Sequence, residues 1–328
     1  MIVRAIRQQG FDWSRFAGTF REIDWSWLAL SAALGLLTYL GRALRWQILI
    51  RAQKRRSSVW NLMVATAIGF TAIVLFGRPG EMIRPYLIAS KEGLSFSSQL
   101  AAWLLERIYD LLMALVIFGY ALAHIQSSGV RVGEHLQWVL HTGGHFVGGL
   151  SAICLIILFL LRQYSESMKR RFSDALSFLP PVHHGRLTAV LHAFTDGVQS
   201  TKDWGALILV VVYSVLEWLL IVGAYVALFR GIPPMAGFGL NDTLIFLGFV
   251  AFGSIVQIPG IGGGMQVVAV VVMRELFDIP LEVASGVALL VWLVSFVVIV
   301  PFGLVLAVHD GLKWKNLRKI GKEAAIAP

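Results

Sequence analysis

Long apolar runs alternate with polar connections along almost the whole chain. The runs cover Trp25–Leu40, Trp60–Phe76, Ser97–Ala123, Phe146–Leu161, Trp204–Phe229, Thr243–Gln257, Met265–Met273 and Val283–Val308. Roughly 18 or more apolar residues in a row are enough to cross a bilayer as a helix. Ala206–Phe229, Thr243–Met273 and Val283–Val308 hold one charge between them, Glu217. The pattern predicts an all-α, polytopic membrane protein. Several runs are too short, or too broken by Gly and Pro, to be simple spans.

The polar stretch Gln163–Lys202, with Pro180 and Pro181, reads as a loop carrying one or two amphipathic helices. It divides the chain into two similar halves. Each has a long helix, a helix interrupted by a glycine-proline loop, and another long helix. Trp25 corresponds to Trp204, Gly77–Gly80 to Pro259–Gly264, and Ala123 to Val308, an offset near ~180 residues. Such an offset is the mark of a duplicated transporter-like fold. The expected organisation is an interfacial segment over 1–24, a transmembrane domain over 25–310 and a basic cytoplasmic tail over 311–328. Within the domain, repeat one spans about 25–124, a linking helix and cytoplasmic loop 143–203, and repeat two about 204–310.

Composition agrees with this reading. The chain has 328 residues, 57% hydrophobic and 14% charged, against about 25% charged in soluble domains. Mean hydropathy is +0.73. The first 24 residues are too polar for a secretory signal. The formal charge of +9 reflects loop clusters that attract anionic headgroups, and no nucleic-acid module is present. Arg51, Lys54, Arg55 and Arg56 form one cluster, Arg162 with Lys169–Arg171 a second, and Lys313–Lys322 a third. The positive-inside rule puts all three in the cytoplasm and the connections around Ser127–His141 and Gly231–Asn241 outside. Both broken segments are then re-entrant hairpins entering from opposite sides, and the repeats are inverted. Arg4, Arg7, Arg15 and Arg21 would lie outside, against the rule. Cys154 sits in an apolar run and reads as a core residue.

The candidate chemistry gathers at the first break, "LFGRPGEMIRPYL". Backbone unwound at membrane depth survives only inside protein or beside a water-filled cavity. Gly77, Pro79 and Gly80 break the helix there, and Arg78, Glu81 and Arg84 surround the break. Glu106, Arg107 and Asp110 follow, with Glu106 and Asp110 at i and i+4 on one helix face. Arg42 and Arg45 end the first apolar run, and Glu217 interrupts another. Charged groups at membrane depth cost roughly 3 kcal/mol each, so they face the bundle interior and mark pathways. The second break, "QIPGIGGGMQ", supplies Pro259, Gly260, Gly262, Gly263, Gly264 and Gln266 but no charge. The histidines form no metal-ligand pattern, no nucleophile elbow or phosphate loop is present, and no cofactor is expected.

"GFTAIVLFGRPGEMIRPYLIASKEGLSFSSQLAAWLLERIYDLL" resembles the integral-membrane domain of lysylphosphatidylglycerol synthase/flippase proteins. Gly77, Arg78, Gly80, Glu81, Arg84, Glu106, Arg107 and Asp110 occupy the positions of that family's motif. "GRALRWQILI" resembles its first-helix ending and "IPGIGGGMQ" its second-half Pro-Gly-x-Gly-Gly motif. The likeness spans about 25–310. Gln266 stands where the family commonly has an acid, which weakens the case for a cationic headgroup, and the resemblance covers no synthase domain, so lysylphosphatidylglycerol synthesis is not expected of these residues.

The resemblance implies a flippase-like module without enzymatic activity, in the cytoplasmic membrane. Its expected partner is a membrane phospholipid, anionic or aminoacylated; homo-oligomerisation is left open. Arg78, Arg84 and Arg107 would bind phosphate, Arg42 and Arg45 recruit it, and Glu81, Glu106 and Asp110 orient the arginines or receive an amine. The alternatives are an ion-coupled transporter of a lipid-linked glycan or small solute, with Glu217 and Asp110 carrying protons, and an accessory subunit of a lipid-modifying complex.

Overall fold

The computed structural model describes residues 11–128, 134–175, 198, 203–254, 257–258 and 262–311. Pro259, Gly260, most of the proline-containing loop and the basic tail lie outside the described residues. In chain order the helices are α1 (Trp13–Arg21), α2 (Trp25–Leu49), α3 (Val59–Phe76), α4 (Ile83–Glu92), α5 (Phe96–Ser128), α6 (Glu134–Ala175), α7 (Trp204–Arg230), α8 (Leu240–Gly253), α9 (Gly264–Phe277), α10 (Leu281–Trp292) and α11 (Val300–His309). A 3-10 turn, Arg78–Met82, joins α3 to α4, and a π turn, Leu293–Val297, joins α10 to α11. The only strands among the described residues are a two-residue antiparallel pair, Gln257–Ile258 with Gly262–Gly263, between α8 and α9. Among the described residues, six helical segments are long and apolar enough to cross a membrane: Trp25–Leu49, Val59–Phe76, Phe96–Ser127, Thr142–Gln163, Trp204–Arg230 and Leu281–His309.

Helix starts follow from single polar residues ahead of the apolar runs. Free N–H groups at a helix start need acceptors. Asp24 accepts from the Ser26 N–H at 2.9 Å, Ser58 from Asn61 at 3.3 Å and Asp203 from Gly205 at 3.1 Å. α3 ends at Gly77, whose φ of 70° lies in the region glycine enters without steric cost. The 3-10 turn then lies so close to α3 that a Cβ on Gly80 would collide with the Ala72 carbonyl. α10 and α11 form one candidate span but not one regular helix, although Val283–Val308 reads as one run. Pro301 has no N–H to give the Val297 carbonyl, and the chain passes through a π turn closed by Val298 N–H to Leu293 C=O at 2.9 Å.

Contacts fix which helix ends lie together. The Lys54 ammonium sits 2.7 Å from the Glu92 carboxylate, so the chain returns at the end of α4 to the end of the bundle where α3 began. Lys91 meets Asp310 at 2.5 Å, bringing the end of α11 there too. At the opposite end the Asp24 N–H donates to the Gly231 carbonyl at 2.9 Å and the Tyr120 hydroxyl to Asn241 at 2.8 Å. α1 belongs to this second end. It is a formed helix whose Thr19 is buried against Gly286 of α10.

α2 and α7 pack antiparallel as the central pair, α3 lies on α11, and α8 lies on α5. Two large apolar cores result, besides a small cluster of Tyr39, Ala67, Phe70, Ile73 and Ile299. One joins the second halves of α5 and α7 to α8, α9 and α10. The other joins the end of α2 to α3, α4 and the first half of α5. Polar chemistry lies between them.

Candidate functional site

The antiparallel pairing of α2 and α7 decides the site. Arg42 and Arg45 are three residues apart on α2, as Ser214 and Glu217 are on α7, so the four share one seam. Arg42 reaches Glu217 at 2.7 Å, and Arg45 reaches Ser214 Oγ at 3.1 Å and Glu217 at 3.3 Å. α5 closes the seam from the side. Its Glu106 accepts from Arg45 at 2.9 Å, and its Asp110 contacts Arg45 at 2.7 Å and Arg42 at 3.5 Å. Arg84 of α4 completes the set, donating to Glu106 at 2.7 Å and to the Arg42 carbonyl at 3.2 Å.

Arg84 gets there because of a glycine and a tryptophan. A Cβ on Gly69 of α3 would lie 2.6 Å from the Arg84 Cβ, so only glycine lets α4 approach. The guanidinium then lies 4.2 Å over the Trp46 ring, a favourable cation–π arrangement. Trp46 is oriented in turn by its Nε1–H, which donates to Gln99 at 2.9 Å.

Beside this network opens a cavity of about 320 Å³. Arg42, Arg78, Glu81, Arg107 and Asp110 form its charged wall. Its other wall is largely apolar and comes from α7, α8, Met265 of α9 and the π turn. Hydroxyls gather at the π turn: Tyr39 donates to the Ser295 carbonyl at 3.2 Å and Tyr225 bonds Ser295 Oγ at 3.0 Å. Glu217 is thirteen residues from either end of α7, about 20 Å along the axis. The network therefore sits at mid-bundle depth.

The sequence-derived site residues thus separate into two groups. Arg42, Arg78, Glu81, Arg107 and Asp110 face the cavity. Arg45, Arg84, Glu106 and Glu217 lie behind it, each side chain almost or wholly inaccessible. Arg42 and Arg45 do not end their helix: α2 continues to Leu49, and both arginines are held by carboxylates rather than turned to an interface. Gly77, Pro79 and Gly80 form the tip that carries Arg78 and Glu81. Gly263, Gly264 and Gln266 form the turn into α9, where the Gln266 side chain accepts from the Gly263 N–H at 2.6 Å. Gly262 pairs with Ile258 in the strand. Among the described residues, only Met265 and Ser254 of this second turn line the cavity.

Residues that reading by charge missed include Ser214, Tyr39, Tyr225, Ser295 and Trp46. Ser214 and Tyr39 each lie three residues before a charged member of the network, a spacing that marks a shared face. Pro301 inside an apolar run was the available signal for the π turn.

Residues 2–303 match the family described as lysylphosphatidylglycerol synthase TM region. The chain belongs to this family. No curated protein and no solved structure matches it. With six candidate spans and this domain, it is a multi-pass membrane protein of a lipid-related family.

Proposed function

We propose that the chain is a transporter, not an enzyme, that passes a phospholipid headgroup across the cytoplasmic membrane through this cavity while the acyl chains stay in lipid. One observation carries the reading: a cavity between the two halves, at mid-bundle depth, with a charged wall on one side and an apolar wall on the other. Cavities of this kind lie at repeat interfaces in transporters. Arg107, Arg78 and Arg42 bind the phosphate as charge-assisted donors. Arg45, Arg84, Glu106 and Glu217 hold those donors in place from behind.

The same reading takes the two broken segments as re-entrant hairpins of inverted repeats. Three contacts support it. The helix α3–turn–α4 returns to the end marked by Lys54 and Glu92. The helix pair α8–α9 starts from the other end, marked by Tyr120 and Asn241. The halves also embrace reciprocally: α3 lies on the last helix of the second half, and α8 on the last helix of the first. Glycines make both approaches close, Gly303 against Thr71 and Gly248 against Phe118. The end holding Arg51, Lys54, Arg55 and Arg56 is assigned to the cytoplasm by its basic charge.

Liposomes reconstituted with the chain and labelled phospholipid test this. The expected result is headgroup movement well above protein-free liposomes, reduced to near that background in Arg107→Ala. Movement at the background rate in the unmodified protein overturns the reading.

A proton-coupled version has its own support. The Glu217 carboxylate is fully inaccessible and shared between Arg42 and Arg45, so release of Arg42 to a phosphate would leave a buried acid to take up a proton. Transport unchanged by an imposed pH gradient overturns that version alone.

A further inference from the structure

The charges around the cavity do not cancel, and the remainder has an address. In the wall and behind it, three arginines, Arg42, Arg45 and Arg84, face three carboxylates, Glu106, Asp110 and Glu217, with at least one contact of 2.9 Å or less for each residue. At the tip, Arg78 and Glu81 pair at 3.0 Å. Arg107 is the surplus. Its nearest carboxylate oxygens, on Glu106 and Asp110, are both 3.9 Å away, beyond hydrogen-bonding distance. Each of those carboxylates is held more closely by Arg45, and Glu106 by Arg84 as well. The Arg107 side chain is 35% exposed and lines the cavity.

A ligand meeting this wall finds one uncompensated positive charge. Neither carboxylate on the wall is uncommitted: Glu81 is engaged by Arg78, and Asp110 by Arg45 and Arg42. A cationic amine would have to displace an arginine from one of them: at Asp110 that leaves a largely buried guanidinium short of counter-charge, and at Glu81 it competes with the Arg78 guanidinium already 3.0 Å away. A single negative charge closes the balance with no displacement. Beyond the charged wall, the described lining offers the hydroxyls of Thr38, Tyr39, Tyr225, Ser254 and Ser295 and the Trp218 indole, but no acid.

We infer that the cavity selects a monoanionic phosphodiester whose remaining headgroup is uncharged, and discriminates against zwitterionic and cationic headgroups. This rests on the proposed lipid reading and names its substrate class. Arg107 is the residue that sets the specificity.

The test is equilibrium binding of the full chain in nanodiscs containing equal amounts of phosphatidylglycerol, phosphatidylethanolamine and lysyl-phosphatidylglycerol, with retained lipid quantified by mass spectrometry. The expected result is enrichment of phosphatidylglycerol of about tenfold over both others, the scale of one charge-assisted contact. Arg107→Gln loses that enrichment at unchanged melting temperature, and Arg107→Lys keeps part of it. Equal or greater retention of either amine-bearing lipid overturns the inference, as does enrichment that survives in Arg107→Gln. Soluble glycerophosphoglycerol at millimolar concentration separates the sources: failure to displace the lipid assigns the site to a membrane ligand, and full displacement assigns it to a water-soluble phosphodiester. Unselective binding with intact transport in liposomes refutes this inference alone. Absent transport refutes the lipid-moving reading, and selective binding without it leaves the anion assignment standing.

Discussion

Arg45 and Glu106 form an ion pair at 2.9 Å in which neither side chain is accessible. The other Glu106 oxygen holds Arg84 at 2.7 Å, so one carboxylate ties α2 and α4 to α5. Removing one partner of such a buried set typically costs about 3–5 kcal/mol, because the other charge is left uncompensated. Glu106→Ala is therefore expected to lower the unfolding midpoint in detergent strongly. Arg107→Gln, at a partly exposed position, is expected to change it by less than about 1 kcal/mol. Comparable losses in the two variants would show that Glu106 is not the joint.

Gly80 tests the tip. A methyl group there has no room against the Ala72 carbonyl, and overpacking of this kind costs about 1–3 kcal/mol. Gly80→Ala should lower stability by that amount and move Arg78 and Glu81, reducing transport more than Gly93→Ala does. Gly93 has open space around it, although its φ of 67° gives that control a strain cost of its own. Protease or cysteine-labelling rates at Arg78→Cys in the Gly80→Ala background report the displacement.

Acid should loosen the α3–α4 hairpin at its open end. Glu92 lies beyond the spans. Burial alone would raise its carboxyl pKa, but hydrogen bonds from Lys54 and Asn61 and the Lys54 charge outweigh it, and the net shift is downward. A depressed folded pKa means stability that is fully present above the unfolded value, near 4.3, and lost as pH falls through the folded one. A melting-temperature series from pH 7 to pH 3 should show a decline that Glu92→Gln flattens. Equal slopes in both proteins would remove Glu92 as the cause.

Gln266 serves as a cap, accepting from the Gly263 N–H at the start of α9. Loss of such a cap costs about 1 kcal/mol. Gln266→Ala should show this in a chemical unfolding curve, and Gln266→Glu, which keeps an acceptor, should retain most of the stability.

Pro301 maintains the π turn. Pro301→Ala restores a donor for the Val297 carbonyl and allows α10 to run into α11. The Ser295 carbonyl would then rotate away from Tyr39, slowing transport while leaving stability equal or higher. Hydrogen exchange across 293–301 should slow in this variant; unchanged exchange would place the cause of the turn elsewhere.

Most of the fold was legible because its driving term is hydrophobic length. The apolar runs located all six candidate spans among the described residues, and the glycine-proline break after α3 located the interruption there. The charged members of the candidate site were legible, since ionised groups in hydrocarbon have few explanations. What the sequence hid is depth and partnership. Arg42 and Arg45 look terminal on α2 because the apolar run stops there, yet the helix continues, and the antiparallel register with α7 that buries them is a contact between residues about 170 apart. The split between cavity-facing Arg107 and buried Arg84 likewise depends on Gly69 admitting α4 and on Trp46 waiting beneath it. Neither has a local signature.

The shared Glu217 also has a consequence for biogenesis. α2, α4 and α5 leave the ribosome first, carrying Arg42, Arg45 and Arg84 against only Glu106 and Asp110 within the buried set. Glu217 arrives with α7, more than a hundred residues after Asp110. Until then the nascent first half holds one excess guanidinium charge at a depth where insertion scales charge roughly 2.5–3.5 kcal/mol for it. The counter-ion is thus a late-arriving lock, and a chain halted before α7 should remain bound to insertion or quality-control factors instead of entering the lipid phase as a finished half.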